Sequence, residues 1–161
     1  MKTLEILKDL VSFETVSKTD NLLMINYIKE CIGNLSAKSQ LIKGNKNQAN
    51  FYARIGPMVE DGIMFSGHTD VVPVQGQKWK TNPFKAKVIK NKIFGRGTCD
   101  MKGFIAVGLS LLNCIDVKGL KRPIHLMFSY DEEIGCVGIQ KAIPFIRKMK
   151  YKPKFCIVGE P

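Results

Sequence analysis

Apolar residues recur at helical spacing from the start of the chain. Leu4, Leu7, Leu10 and Val11 share one face of a segment that Thr3 can cap and that runs to about Phe13. A second stripe, Leu22, Ile25, Ile28, Cys31 and Ile32, follows Asp20 as its cap and ends near Gly33-Asn34. The period then shortens. Ser39–Lys43, Asn50–Ile55 and Gly62–Ser66 read as strands, with Gly56-Pro57 and Asp61-Gly62 punctuating the link between the last two. Phe84–Lys90 and Ile93–Arg96 flank Asn91-Lys92 as a hairpin. Met101–Ile115 has the pattern of a buried helix whose Gly103 and Gly108 permit close packing. Ile124–Tyr130 then reads as a strand, Val137–Lys148 as a helix and Lys154–Val158 as a last apolar strand.

This alternation predicts an α/β fold: a mostly parallel sheet with helices on both faces. Sheets of that kind bind ligands beyond the carboxyl ends of their strands. Gly67-His68-Thr69-Asp70, Asp131-Glu132-Glu133 and Gly159-Glu160 each follow a strand, and Cys99-Asp100-Met101 immediately precedes a helix, so all four stretches belong to one rim. Carboxylates gathered there repel one another unless cations sit between them, which points to a metal-activated hydrolytic site. A neutral His68 is a good zinc ligand, and Asp70, two residues on, can hold its other ring nitrogen. Glu132 and Glu133 diverge on an extended backbone, so one can bind metal while the other faces a reacting water. Asp100 can bridge two cations with its two oxygens. Arg96, between Gly95 and Gly97, is equally consistent with a structural role beside a tight turn.

Composition narrows the partners. The 161 residues suffice for one compact domain, and 45% hydrophobic with 24% charged residues is the balance of a soluble globular protein. No run of about 18 uncharged apolar residues appears, so no membrane span is expected. The segment Met1-Lys2-Thr3-Leu4-Glu5 already reads as an amphipathic helix containing an acid and lacks a signal-peptide core, which predicts a cytoplasmic protein. Five cysteines, odd in number and without a CxxC pair, argue against a disulfide framework or a cysteine-zinc site. A formal charge of +11 raises nucleic acid as a partner, but the lysines lie in no block of five or six and no DNA- or RNA-binding motif accompanies them. No nucleic-acid role is expected.

The stretches Ser66–Pro73, Gly95–Gly103, Asp131–Gly135 and Val158–Pro161, with Trp79 and Pro83-Phe84 between them, resemble the family of acetylornithine deacetylases, succinyl-diaminopimelate desuccinylases and related di-zinc carboxypeptidases. Thr98-Cys99 before Asp100, and Ser129–Cys136, are more similar to the acetylornithine deacetylase branch. The resemblance implies a zinc-exopeptidase-like domain in which His68 and Glu160 bind one zinc, Glu133 binds the other and Asp100 bridges both, with cobalt as an alternative metal. It implies that Asp70 orients His68, that Glu132 is the general base and that the Asp100–Met101 peptide is cis. The implied reaction is hydrolysis of an N-acyl amino acid, with N-acetylornithine giving ornithine and acetate in arginine biosynthesis. N-succinyl-diaminopimelate, another acyl-amino acid or a dipeptide is the alternative substrate.

Family enzymes are more than twice as long as this chain. The resemblance therefore implies that residues 1–161 form the N-terminal portion of the catalytic domain, truncated before a lid and dimerisation domain and without the returning C-terminal catalytic portion. Homodimer contacts made by the lid are lost with it. That returning portion supplies a last histidine ligand, and His125 is no substitute: seven residues before Glu132 in a strand, it lies roughly 20 Å away. The chain is then expected to work with a complementary C-terminal chain, as half of a split enzyme, or to be a non-catalytic remnant.

Overall fold

The computed structural model describes residues 2–161; Met1, placed in the first helical segment by its pattern, lies outside them. Four helices, α1 (Thr3–Ser12), α2 (Leu22–Cys31), α3 (Lys102–Leu112) and α4 (Val137–Arg147), surround a five-stranded sheet. The sheet contains β1 (Lys38–Lys43), β2 (Ala49–Ile55), β3 (Gly62–His68), β6 (Ile124–Ser129) and β7 (Pro153–Val158), in the order β1-β2-β6-β3-β7. A separate hairpin pairs β4 (Lys87–Ile89) with β5 (Lys92–Phe94).

The α/β class holds, and the parallel character is narrower than the alternation suggests. β6, β3 and β7 run parallel, whereas β1-β2 and β2-β6 are antiparallel, so the sheet is mixed. Helices do cover both faces. α1, α2 and α3 bury Ile6, Leu10, Ile25, Ile28, Ile105 and Leu109 against Phe51, Ala53, Leu126 and Phe128. On the other face α4 sets Ala142, with Ile139 and Phe145 beside it, against Tyr52, Met64 and Met127. The strand residues on the two faces alternate, as the pleat requires. Removing a side chain such as Leu109 from the first layer costs about 2–5 kcal/mol.

Local expectations fare unevenly. Thr3 does not cap α1: Lys2 stands at the N-cap, and the Thr3 hydroxyl bonds Ser110 Oγ at 2.8 Å, tying α1 to α3. Asn21, not Asp20, stands at the N-cap of α2; Asp20, one residue earlier, accepts the Leu22 N–H at 2.7 Å. Gly103 is needed for space, since a Cβ there would run into the Thr98 carbonyl, but Gly108 faces open room and permits no special approach. His125 is fully buried in the central strand, where Nδ1 lies 2.8 Å from the Tyr52 hydroxyl. Burial, helped by Arg54, pushes its pKa down to about 4. Among the described residues no helix is long and apolar enough to cross a membrane.

Candidate active site

The parallel strands deliver the polar stretches. His68 ends β3 beside Ser129, the last residue of β6. Beyond that point the chain from Thr69 to Val71 is clamped by a strap at residues 15–17: Val71 N–H donates to Thr15 O, Ser17 N–H to Val71 O, and the Thr15 hydroxyl to Thr69 O. Thr69 also donates its N–H and its hydroxyl to Ser129 O, at 2.8 and 2.9 Å. His68 therefore sits, 1% exposed, on a segment with little freedom.

Its imidazole is oriented by Asp70, largely through the main chain. Nδ1 lies 2.8 Å from the Asp70 carbonyl oxygen and 3.5 Å from the Asp70 carboxylate. A carbonyl can only accept, so Nδ1 carries a hydrogen and Nε2 is the atom turned to the cluster. Asp100 Oδ1 lies 3.1 Å from Nε2, Glu160 Oε1 3.7 Å and Glu132 Oε2 3.9 Å. Burial pushes His68 down, but the hydrogen bonds and charge of Asp70, with the charge of Glu160, outweigh it and raise the imidazole to about 9.

The Asp70 carboxylate has a further task that the sequence did not reveal. It accepts from the Ser17 hydroxyl at 2.8 Å, from the Glu132 N–H at 2.9 Å and from the Glu133 N–H at 3.3 Å. Burial raises its pKa, and the hydrogen bonds from His68, the Glu132 backbone and Ser17 more than reverse that, leaving it below the ordinary value. One buried side chain thus fixes both the histidine and the glutamate loop. Asp131, the first residue of the acidic triplet, turns away in a left-handed conformation (φ 51°) and accepts from the Lys18 N–H and from Gln48 Nε2. It anchors the loop from behind.

Asp100 is half-exposed and precedes a cis peptide to Met101, as the resemblance implied. Two residues on, Lys102 is completely buried and donates to the carbonyls of Leu10 and Phe13 at the end of α1. Burial, partly offset by Asp70, pushes its ammonium down to about 7. Nothing in the apolar pattern of α3 marks this lysine as internal. Arg96 donates to Gln77 Oε1 at 2.6 Å and stacks 5.2 Å from the Trp79 ring.

Six sequence-selected residues therefore meet in space. Ligand atoms of His68, Asp100 and Glu133 lie within 4.8 Å of one another, as do those of His68, Glu132 and Glu160. Asp100 groups with Glu133, and Glu132, expected as the base, stands with His68 and Glu160. Burial raises the pKa of Glu133, and the charge of Asp100 adds to it; burial also raises Glu160, with Asp100 and Glu132 adding to it and His68 opposing. Carboxylates driven toward protonation by burial and by one another, beside an imidazole nitrogen, fit a divalent cation. A cleft of about 520 Å³, lined by Leu35, Pro57, Val117, Leu120 and their neighbours, contains none of these groups.

Residues 64–161 match the sequence pattern of peptidase family M20/M25/M40. Over 98% of its length the chain is 34% identical to an acetylornithine deacetylase of Buchnera aphidicola subsp. Schizaphis graminum and 33% identical to one of Pectobacterium carotovorum. It spans 42% of the length of each. An M20-family metallo-carboxypeptidase from Sulfolobus solfataricus superposes with a TM-score of 0.83 at 26% identity, covering 99% of this chain and 37% of that one. Human carnosine dipeptidase 1 gives 0.85 at 18% identity, over 99% of this chain and 38% of that one.

Proposed function

Because this chain belongs to peptidase family M20/M25/M40, we propose that it carries the metal-holding portion of a zinc-dependent amidohydrolase acting on N-acyl amino acids, N-acetylornithine foremost. The observation that carries the reading is the convergence of His68, Asp100, Glu132, Glu133 and Glu160 at one end of the sheet. The names of the relatives at 34% and 33% identity favour acetylornithine among possible substrates and, with it, arginine biosynthesis. A cytoplasmic location accords with five free thiols.

In this reading His68, Asp100, Glu133 and Glu160 would hold the zinc ions. Zinc supplies Lewis acidity, drawing charge from an amide carbonyl and bringing the pKa of water to about 7. The remaining work belongs to the chain. His68 presents Nε2 because Asp70 keeps a hydrogen on Nδ1. Glu132, with Oε2 on the cluster side, takes the proton of the attacking water and passes it to the departing amine. The Asp70 carboxylate holds the Glu132 and Glu133 amides so that the base and its neighbouring ligand keep a fixed separation.

Residues 1–161 are read as the N-terminal portion of the catalytic domain, with a complementary C-terminal segment completing the site. Specific support comes from β7. This edge strand leaves Phe155, Ile157 and Val158 about half exposed or more, and Val107 and Leu111 of α3 are exposed as well. Apolar surface of that extent on a sheet edge calls for a cover.

The test is to load the chain with zinc or cobalt, count metal, and assay N-acetylornithine and N-succinyl-diaminopimelate with and without the C-terminal part of an acetylornithine deacetylase. Glu132→Ala should retain metal and lose turnover by about a hundredfold or more. A variant that loses its metal while the chemistry persists would overturn the assignment of Glu132.

A further inference from the structure

Cys136 lies outside every role assigned so far, yet its thiol touches the proposed base. Its Sγ donates to Glu132 Oε1 at 3.1 Å. The other oxygen of the same carboxylate, Oε2, is the one 3.9 Å from His68 Nε2. The two oxygens are thus divided, one held by sulfur and one facing the cluster. We propose that Cys136 is a positioning residue for Glu132, its thiol fixing the carboxylate rotamer that aims Oε2 at the reacting water. The proposal rests on the reading of Glu132 as the base.

The backbone supports this assignment independently. The N–H groups of Gly135 and Cys136 both donate to the Glu132 carbonyl, at 2.9 and 2.8 Å, and the Val137 N–H returns to Asp131 O at 3.0 Å. This tight turn folds residue 136 back over residue 132 at the N-cap of α4. Cys136 adopts φ 55° and ψ 37° there, a left-handed conformation in which glycine meets no penalty and a side chain does. A glycine would satisfy the turn but would leave Oε1 without its donor. The thiol is half-buried and its pKa is raised, first by the hydrogen bond to Glu132, so it stays protonated and able to donate.

Cys136→Ala keeps a Cβ in the left-handed turn and removes only the sulfur, while Cys136→Ser restores a donor. In the zinc-loaded, carbon-13-labelled chain, the Glu132 side-chain carboxyl resonance should shift or broaden in Cys136→Ala and return toward the wild-type position in Cys136→Ser, at unchanged zinc content. With substrate and the C-terminal segment added, Cys136→Ala should lower kcat by about three- to tenfold, the effect of one lost hydrogen bond of ordinary strength, since a thiol is a weak donor. KM should stay within about twofold, and serine should recover most of the loss. An unmoved carboxyl resonance in Cys136→Ala would overturn the proposal, as would loss of zinc from that variant, since the sulfur would then be a ligand or a structural prop. Full activity in Glu132→Ala would remove the base assignment instead, while the resonance still reports whether the thiol holds the carboxylate.

Discussion

Replacing Asp70 by asparagine asks whether one buried carboxylate holds the histidine and the glutamate loop together. Asparagine has nearly the same shape and retains one acceptor oxygen, but its amide nitrogen is a donor. Asp70 receives the Glu132 and Glu133 amides on different oxygens, with Ser17 sharing the second. Whichever way the amide turns, it sets a donor against a backbone N–H. Hydrogen bonds to a charged group contribute about 1.5–3 kcal/mol each, and an orphaned buried donor costs about 1–3 kcal/mol. Since these losses overlap, we expect Asp70→Asn to destabilise the metal-free chain by about 2–4 kcal/mol. Zinc affinity should fall about 10- to 100-fold, as for other groups that orient a ligating histidine. Urea denaturation and competition with a chelator measure the two effects. The folded-state pKa of Asp70 is depressed, so its contribution is present above the ordinary carboxylate range and fades as pH falls through the folded value; the gap between wild type and variant should close in acid. An unchanged urea midpoint with zinc affinity within about twofold of wild type would refute the reasoning.

Zinc affinity should rise about tenfold per pH unit through neutrality and flatten above about 9, because an imidazole raised to about 9 must give up its Nε2 proton to bind metal; a flat profile in cobalt titrations would contradict this. His125, pushed down to about 4 from 6.5, lends stability above pH 6.5 that is lost as pH falls toward 4, about 3 kcal/mol in all. His125→Asn keeps a partner for the Tyr52 hydroxyl without titrating in this range, and its urea midpoint should vary less between pH 4 and 6.5 than that of wild type.

The periodic pattern located the helices and strands to within a few residues because burial on one face is what periodicity records. Strand direction is not recorded there. β2 runs opposite to both its neighbours, β1 and β6, and this makes the sheet mixed; nor does the pattern show that β6 inserts between β2 and β3 although only the short link 56–61 joins them. The site residues were legible because strand ends carry them to one rim. The division of labour among the acids was less so: Asp131, Glu132 and Glu133 read alike in a row, and only the left-handed backbone at Asp131 turns the first of them inward. Lys102 was missed because its partners are backbone carbonyls of α1, about ninety residues earlier in the chain.

The ligands are not equally anchored. His68 extends from β3, a strand flanked on both sides, and the Glu133 loop follows central β6 under the grip of Asp70. Asp100 is followed by Met101, whose sulfur accepts the His68 N–H, and by Lys102, which is tied to α1. Glu160 follows β7, which among the described residues pairs only with β3 and has its outer side open. Its local support is Gly159, packed so closely on the Phe104 ring that no Cβ fits. The set His68, Asp100 and Glu133 is therefore preorganised within this chain, whereas the set containing Glu160 depends on how firmly the edge strand is held. A partner that binds β7 in its ordered position must, by linkage, favour the metal that Glu160 ligates. The C-terminal segment of a relative also brings the implied last histidine ligand, so the test uses a form of that segment with this histidine replaced by alanine: it should tighten the zinc equivalent at Glu160 by about fivefold or more and leave the other nearly unchanged, while Phe155→Lys should abolish the gain. Equal tightening of both ions would mean that the segment supplies ligands to the whole cluster rather than order to one strand.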